Sequence, residues 1–362
     1  MQRDFHYCGT YVLARLAGFG PDKAKRIATA AQFVDEATEK TWTNPNPEGP
    51  RFTVEPTGHG LFQLRSLNDP DDQIRVWVPF HFLPGGFGDG ITSRLICTPD
   101  SPIAVKAMEF AIQQSARPFG MESLGVAAHA YADTFAHFGF CGVSSRLNWV
   151  VTDSVKMENG GQYVDPLAEF VRSHPEAGTL PNFRLHPSVS GVAQVLTGGL
   201  HGALGHAAVS TCPDAPYLRW SYRYAEEQRW GPGTEVTRNN IETFMRACER
   251  LHEHLARASS ATPVPISEVR DVLERVLRTE GDSAARAAAW QQAAASGQFA
   301  SIAEGIPAYE GDTWKPSMRG WGSVTDPGQV ASDPAYRFLQ AATLHRDYVL
   351  RDLLPSKGLC LT

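Results

Sequence analysis

Apolar residues recur at helical spacing along most of this chain, and the interruptions fall at proline and glycine. Residues 4–16 read as a short amphipathic helix, with Asp4 placed to cap it and Gly18 to close it. Pro21 opens a second, Ala-rich helix to about Glu39, with Ile27, Ala31 and Val34 on its apolar stripe and Gln32, Asp35 and Glu36 near its C-terminal half. From 43 to 83 the character changes. Two runs, 51–67 and 73–78, carry alternating and β-branched residues that predict a β-hairpin, and 84–90, with four glycines, reads as a loop. Helical spacing returns at about 101–115, 122–138, 189–208, 236–258, 266–279 and 334–354. The Ala-rich run 283–296 reads as a weakly specified surface helix, and 306–333, rich in Gly, Pro and Trp, as ordered coil. The expected fold is mainly α: a bundle-like single domain over 1–362, with a β-hairpin insertion at about 51–80 and a C-terminal helical and coil region at about 236–362.

Composition narrows the function classes. With 42% hydrophobic and 20% charged residues over 362 positions, the chain has an ordinary globular make-up, which excludes wholesale disorder. Its formal net charge of −6 argues against a nucleic-acid partner held by bulk charge. Cys8, Cys97, Cys141, Cys212, Cys248 and Cys360 form no CxxC pair, so a thiolate zinc knuckle and a dense disulfide scaffold are not indicated, and a reducing compartment is expected. Residues 1–6 lack an apolar signal core and no apolar run is long enough to span a bilayer, so a cytoplasmic location is expected, with signal-independent export left open. Nothing in the pattern fixes an oligomeric state. Dinucleotide, P-loop, serine-hydrolase and zincin motifs are absent.

The most informative stretch is 124–137. His129, Asp133 and His137 stand at i, i+4 and i+8, which stacks them on one helix face. Ala128, Ala130, Ala132 and Ala136 surround them, so neighbouring helices can approach and the polar face turns inward. Imidazole nitrogen and carboxylate oxygen suit zinc, iron and manganese alike. Further candidates are scattered. His206 precedes a turn fixed by Pro213 and followed by Asp214, and it is favoured over His201, which lies about 140° away on a helix. Asp4 is either a helix cap or a ligand, and His6, between Phe5 and Tyr7, needs a buried partner. Asp35 sits near a helix C-terminus, where a carboxylate wants a compensating cation. His81, at the entry to the glycine loop, is a candidate substrate contact or ligand. His252 and His254 stand among charged neighbours and are expected to be solvated, while His345 is ambiguous. Together these supply His and Asp from four helices or helix ends, which is how bundles build polynuclear centres.

The segments around Asp4-Phe5-His6-Tyr7, Gln32-Phe33-Val34-Asp35, Pro79-Phe80-His81-Phe82-Leu83-Pro84, His129-x3-Asp133-x3-His137 and Gly205-His206 to Pro213-Asp214 resemble, in order, an uncharacterised bacterial family of unknown function. The His-x3-Asp helix is in turn similar to that of the zinc-dependent phospholipase C and single-strand nuclease superfamily, whose members are helical and hold three zinc ions. That resemblance implies His129 and Asp133 as metal ligands, with His137, His206, Asp4, His6, Asp35 and Asp214 as candidates for the rest. The superfamily's N-terminal Trp ligand and its later His-x3-Glu pair have no evident counterpart here. The expected function is a metal-dependent hydrolase of a lipid or small-molecule phosphoester, a phospholipid or a nucleotide, with two or three zinc ions, or iron or manganese, activating water, and with Asp35 or Asp214, if not a ligand, as general base. Two alternatives are a di-iron oxygenase or phosphohydrolase, and a non-catalytic effector or binding protein stabilised by metal.

Overall fold

Short polar caps and prolines set the helix starts. The computed structural model describes residues 1–44, 46–59, 69–151, 154–159, 204–225, 235–299, 302 and 304–361. Helix α1 is π-wound over Asp4–Gly9 and continues as α-helix over Thr10–Leu16. Gly18, at φ +96°, closes it in a conformation that strains any side-chain-bearing residue. Helix α2 covers Pro21–Glu36. Strand β1 (Trp42–Thr43) pairs antiparallel with β2 (Thr53–Val54), Trp42 opposite Val54. Helix α3 starts at Pro70, where Asp69 accepts from the Asp71 amide, and runs through Pro70–Asp72, a π-wound Gln73–Trp77 and Val78–Phe80. Helices α4 (Pro102–Gln113) and α5 (Gly120–Ala136) follow. Strands β3 (Lys156–Met157), β4 (Arg219–Arg223) and β5 (Glu235–Asn239) form an antiparallel sheet in that order. Then come α6 (Asn240–Ala258), α7 (Arg270–Leu277), α8 (Ser283–Ala295), α9 (Trp314–Gly320) and α10 (Pro334–Asp347), the last continuing through a π turn at Tyr348–Leu353 into Leu354–Ser356.

The fold is mainly α with a small β-hairpin, as the periodicity predicts, but the hairpin lies elsewhere. Residues 73–78 are helical because the Asp69 cap and Pro70 start a helix, and Gln73, Val76 and Phe80 then share its buried face. The described part of 51–67 contains only the two-residue β2. The helix expected from 236 begins at Asn240, because 235–239 pairs with β4 through five residue pairs. The run 306–333 contains α9 and a further helix, Pro327–Ser332, rather than coil alone. Helix α8 is not a surface element on its inner side, where Arg286, Trp290, Ala293 and Ala294 are buried. Asp4 does not cap α1: it lies within the first turn, after Arg3. The helix expected at 189–208, and His201 with it, falls outside the described residues apart from 204–208, which form turn and 3₁₀ structure.

Helix α5 is the axis of the molecule. Every one of its residues is buried, against α2, α4, α6 and α10. Gly125 permits the approach of α2: a Cβ there would stand 2.2 Å from the Ile27 carbonyl oxygen and 2.7 Å from Ala30 Cβ. The α2 and α5 backbones therefore touch, and Asp35 near the end of one helix reaches the polar residues of the other. A helix with no wet face must still satisfy His129 and Asp133, because an unpaired buried charge is costly.

Candidate metal centre

Asp133 is the centre of the polar cluster. Its Oδ1 lies 3.1 Å from His6 Nε2 and 2.7 Å from the α-amino nitrogen of Met1. Its Oδ2 lies 3.2 Å from His129 Nε2 and 3.3 Å from His81 Nδ1. Asp35 stands beside this second side, 3.7 Å from His129 Nε2 and 3.8 Å from His81 Nδ1. His137, the residue that caps α5, turns the arrangement toward Asp214: its Nε2 is 3.1 Å from Asp214 Oδ1, and His206 Nε2 is 3.9 Å from Asp214 Oδ2. Three groups have ligand atoms mutually close enough to hold an ion: His6, His129 and Asp133; Asp35, His81 and His129; and His137, His206 and Asp214. The first two share His129.

The outward faces of the histidines show which nitrogen is free. A carbonyl can only accept, so the ring nitrogen facing it carries the proton. His129 Nδ1 donates to the Ala31 carbonyl at 2.8 Å, His81 Nε2 to Thr57 at 2.8 Å, His137 Nδ1 to His81 at 2.8 Å and His206 Nδ1 to Ser210 at 2.7 Å. His129 and His206, held neutral by burial, are thereby left with an unprotonated nitrogen directed at the cluster, the tautomer and orientation that metal-binding histidines have. His129 Nε2 and His81 Nδ1 approach to 3.2 Å, so two lone pairs would face each other unless a proton or a cation lies between them. His6 is fully buried and stacks on His129 at 3.8 Å between centroids; its Nε2 meets Asp133, while its Nδ1 has no hydrogen-bond partner among the described residues. A buried imidazole set against a carboxylate in this way has the donor chemistry of a cation ligand.

The electrostatics agree. Burial holds His6, His129 and His206 neutral, each lowered to about 4. His81 moves up, because its hydrogen bond to Asp133 and the charge of Asp35 outweigh desolvation. Burial would raise Asp133 and Asp214, but the surrounding histidines and the Met1 ammonium hold both below the usual carboxylate range. The Met1 amine is raised to about 11 despite its burial, by Asp133, Asp214 and Asp35. Desolvation, reinforced by the neighbouring Asp133 charge, raises Asp35.

The structure thus gathers His6, Asp35, His129, Asp133, His137, His206 and Asp214, with His81 among the ligand-bearing groups rather than apart from them. Asp4 is the exception. Its carboxylate pairs with the buried Arg286, Oδ2 2.7 Å from Nε and Oδ1 3.2 Å from Nη2, and accepts from Ser283. His252 and His254 are buried, not solvated; His254 meets the Tyr131 ring edge-on at 4.9 Å. His345 is a buried structural residue that donates from Nε2 to the Pro79 carbonyl at 2.9 Å. The group that residue types did not reveal is the Met1 amine, which no side-chain pattern announces. Residues 1–353 match the sequence pattern of one protein family. The chain belongs to a family of unknown function, DUF6765. No curated protein and no solved structure matches this DUF6765 chain. No described helix is long and apolar enough to cross a membrane.

Proposed function

We propose that this DUF6765 protein is a metal-dependent hydrolase acting on a phosphoester, a phospholipid or a nucleotide, with two or three zinc ions held by His6, His81, His129, Asp133, His137, His206 and Asp214, and with Asp35 beside them as a further ligand or, where it binds no ion, as the general base. The observation that carries the reading is the set of four imidazoles whose outer N–H is taken by a carbonyl while the inner nitrogens gather around Asp133, Asp35 and Asp214. The likeness of His129-x3-Asp133 to the phospholipase C and single-strand nuclease superfamily supports zinc and a phosphodiester; iron and manganese accept the same donors. Bound ions would supply Lewis acidity and a water of lowered pKa. The chain supplies the rest. Where it binds no ion itself, Asp35 is the residue to accept the proton of that water, since its side chain is 33% exposed and its contacts are the loosest of the carboxylates. Asp214 is pinned by the Met1 amine and His137, which fits charge compensation better than proton transfer. Free cysteines throughout the described residues suit a cytoplasmic setting.

The deciding experiment is elemental analysis of untagged protein purified without chelator, followed by a panel of phosphodiesters and phospholipids. Two or three zinc ions per chain with phosphodiester turnover abolished by Asp35→Asn supports the reading. Two irons with oxygen consumption moves it to oxygenase chemistry, and no metal, with none taken up on addition, refutes it.

A further inference from the structure

Resting on the reading of the cluster as a metal centre, we propose that Arg346 is a positioning residue, which sets His81 and Asp35 through the backbone of residues 55–58. This segment is the outer partner of His81: the Thr57 carbonyl takes the His81 Nε2 proton at 2.8 Å. It is also stitched to the end of α2, where Asp35 lies. Thr57 Oγ1 donates to the Val34 carbonyl at 2.7 Å, and the Thr57 amide donates to that of Ala37 at 2.9 Å. At Gly58 the two backbones come so close that a Cβ would stand 2.9 Å from the Val34 oxygen and 3.0 Å from the Asp35 oxygen. One short stretch of chain therefore touches the scaffolding of two ligand-bearing residues from different elements.

What holds that stretch comes from α10, nearly three hundred residues later. Arg346 is 2% exposed and spends its guanidinium fork on three separate points. Nη1 donates to Glu55 Oε2 at 2.6 Å, Nη2 to the Pro56 carbonyl, and Nε to the Arg75 carbonyl at 2.8 Å. Arg75 returns to the other Glu55 oxygen at 2.5 Å. The preceding residue, His345, fixes the Pro79 carbonyl, so α10 grips the helix that leads to His81 at two points, Arg75 and Pro79, besides holding the 55–58 strap. The effect extends further, because the His81 carbonyl accepts from His137 Nδ1 and so orients a ligand of the Asp214 group. A planar fork with several fixed donors can meet three acceptors in different directions; a lysine ammonium on a flexible stem cannot hold the same geometry.

Partners of this kind alter metal affinity by about 10–100-fold when removed. The test is Co²⁺ titration of the metal-free full-length protein, read by visible absorption, for wild type, Arg346→Lys and Leu273→Ala. Leu273 is buried on α7, so its truncation destabilises the fold without touching the strap. Arg346→Lys is expected to bind Co²⁺ about 10–100-fold more weakly and with a shifted spectrum, while Leu273→Ala keeps wild-type affinity and spectrum even at a greater loss of Tm. Wild-type affinity and spectrum in Arg346→Lys, or an equal loss in Leu273→Ala, overturns the positioning role. Should Arg346→Lys not fold, Glu55→Gln, which keeps an acceptor and removes the charge, is expected to weaken Co²⁺ binding in the same direction, and unchanged affinity there overturns the proposal. Absence of Co²⁺ binding by wild type would overturn the metal reading itself, and this inference with it.

Discussion

Asp4 and Asp133 show how far residue type determines role. Both are aspartates on buried helices, each satisfied by a cation, yet the cations differ. Asp4 has its own bidentate partner in Arg286, so it needs no metal. Asp4→Ala should therefore cost about 3–5 kcal/mol, the usual consequence of stranding one member of a buried pair, measured by urea unfolding, with metal content unchanged. A proportional loss of metal would return Asp4 to the ligand set. Spacing made His129, Asp133 and His137 legible, because i, i+4, i+8 on one face is a geometric statement. Asp4 was not legible, since nothing near it in sequence points to Arg286. The same holds for His252 and His254, whose charged neighbours suggest water: α6 is covered on more than one face, and Tyr131 of α5 closes over His254.

At the scale of elements, the crossing of α2 and α5 decides whether the site exists. The small residues of α5 announced a helix that others could approach, and the contact at Gly125 is that approach realised. Gly125→Ala must push α2 away or bend it, which separates Asp35 from His129. Ala is the better helix former by about 1 kcal/mol, so a simple propensity argument predicts stabilisation. The clash with the Ile27 carbonyl predicts the opposite: a lower Tm together with weaker metal binding, by calorimetry and metal titration on the same sample. A rise in Tm would mean that the crossing has slack. The β-sheet was hidden in the sequence for a different reason. Strand β4 buries three consecutive residues, Trp220, Ser221 and Tyr222, so it lacks the alternation that marks a half-buried strand, and β5 merges into the periodicity of α6.

For the whole molecule, the buried histidines make the metal-free protein sensitive to acid. His345 illustrates the sign away from the cluster. Burial lowers it to about 4 from an ordinary 6.5, so between those values the unfolded chain takes up a proton that the folded chain refuses. Its contribution to stability is present above about pH 6.5 and is lost as pH falls toward 4. His345→Gln, which can still donate to the Pro79 carbonyl, should reduce the stability lost between pH 7 and pH 5 by about 2 kcal/mol, read as the change in urea midpoint at the two pH values. An unchanged pH dependence would show that His345 takes up its proton in the folded protein at its ordinary pH.

The complete enclosure of α5 has a consequence for amide exchange. A helix with no solvent-facing side and neighbours on every flank has no route to local opening, so its backbone protons exchange with deuterium only when the whole fold comes apart. Deuterium uptake across 120–136 then reports global unfolding free energy, residue by residue and at native pH. Comparing protein stripped of ions with protein saturated by them should slow every amide of this helix by one common factor, the factor by which ligation favours the folded state. If slowing were confined to the turn around Asp133, the ions would be tightening a local hinge and leaving the rest of the fold as it was.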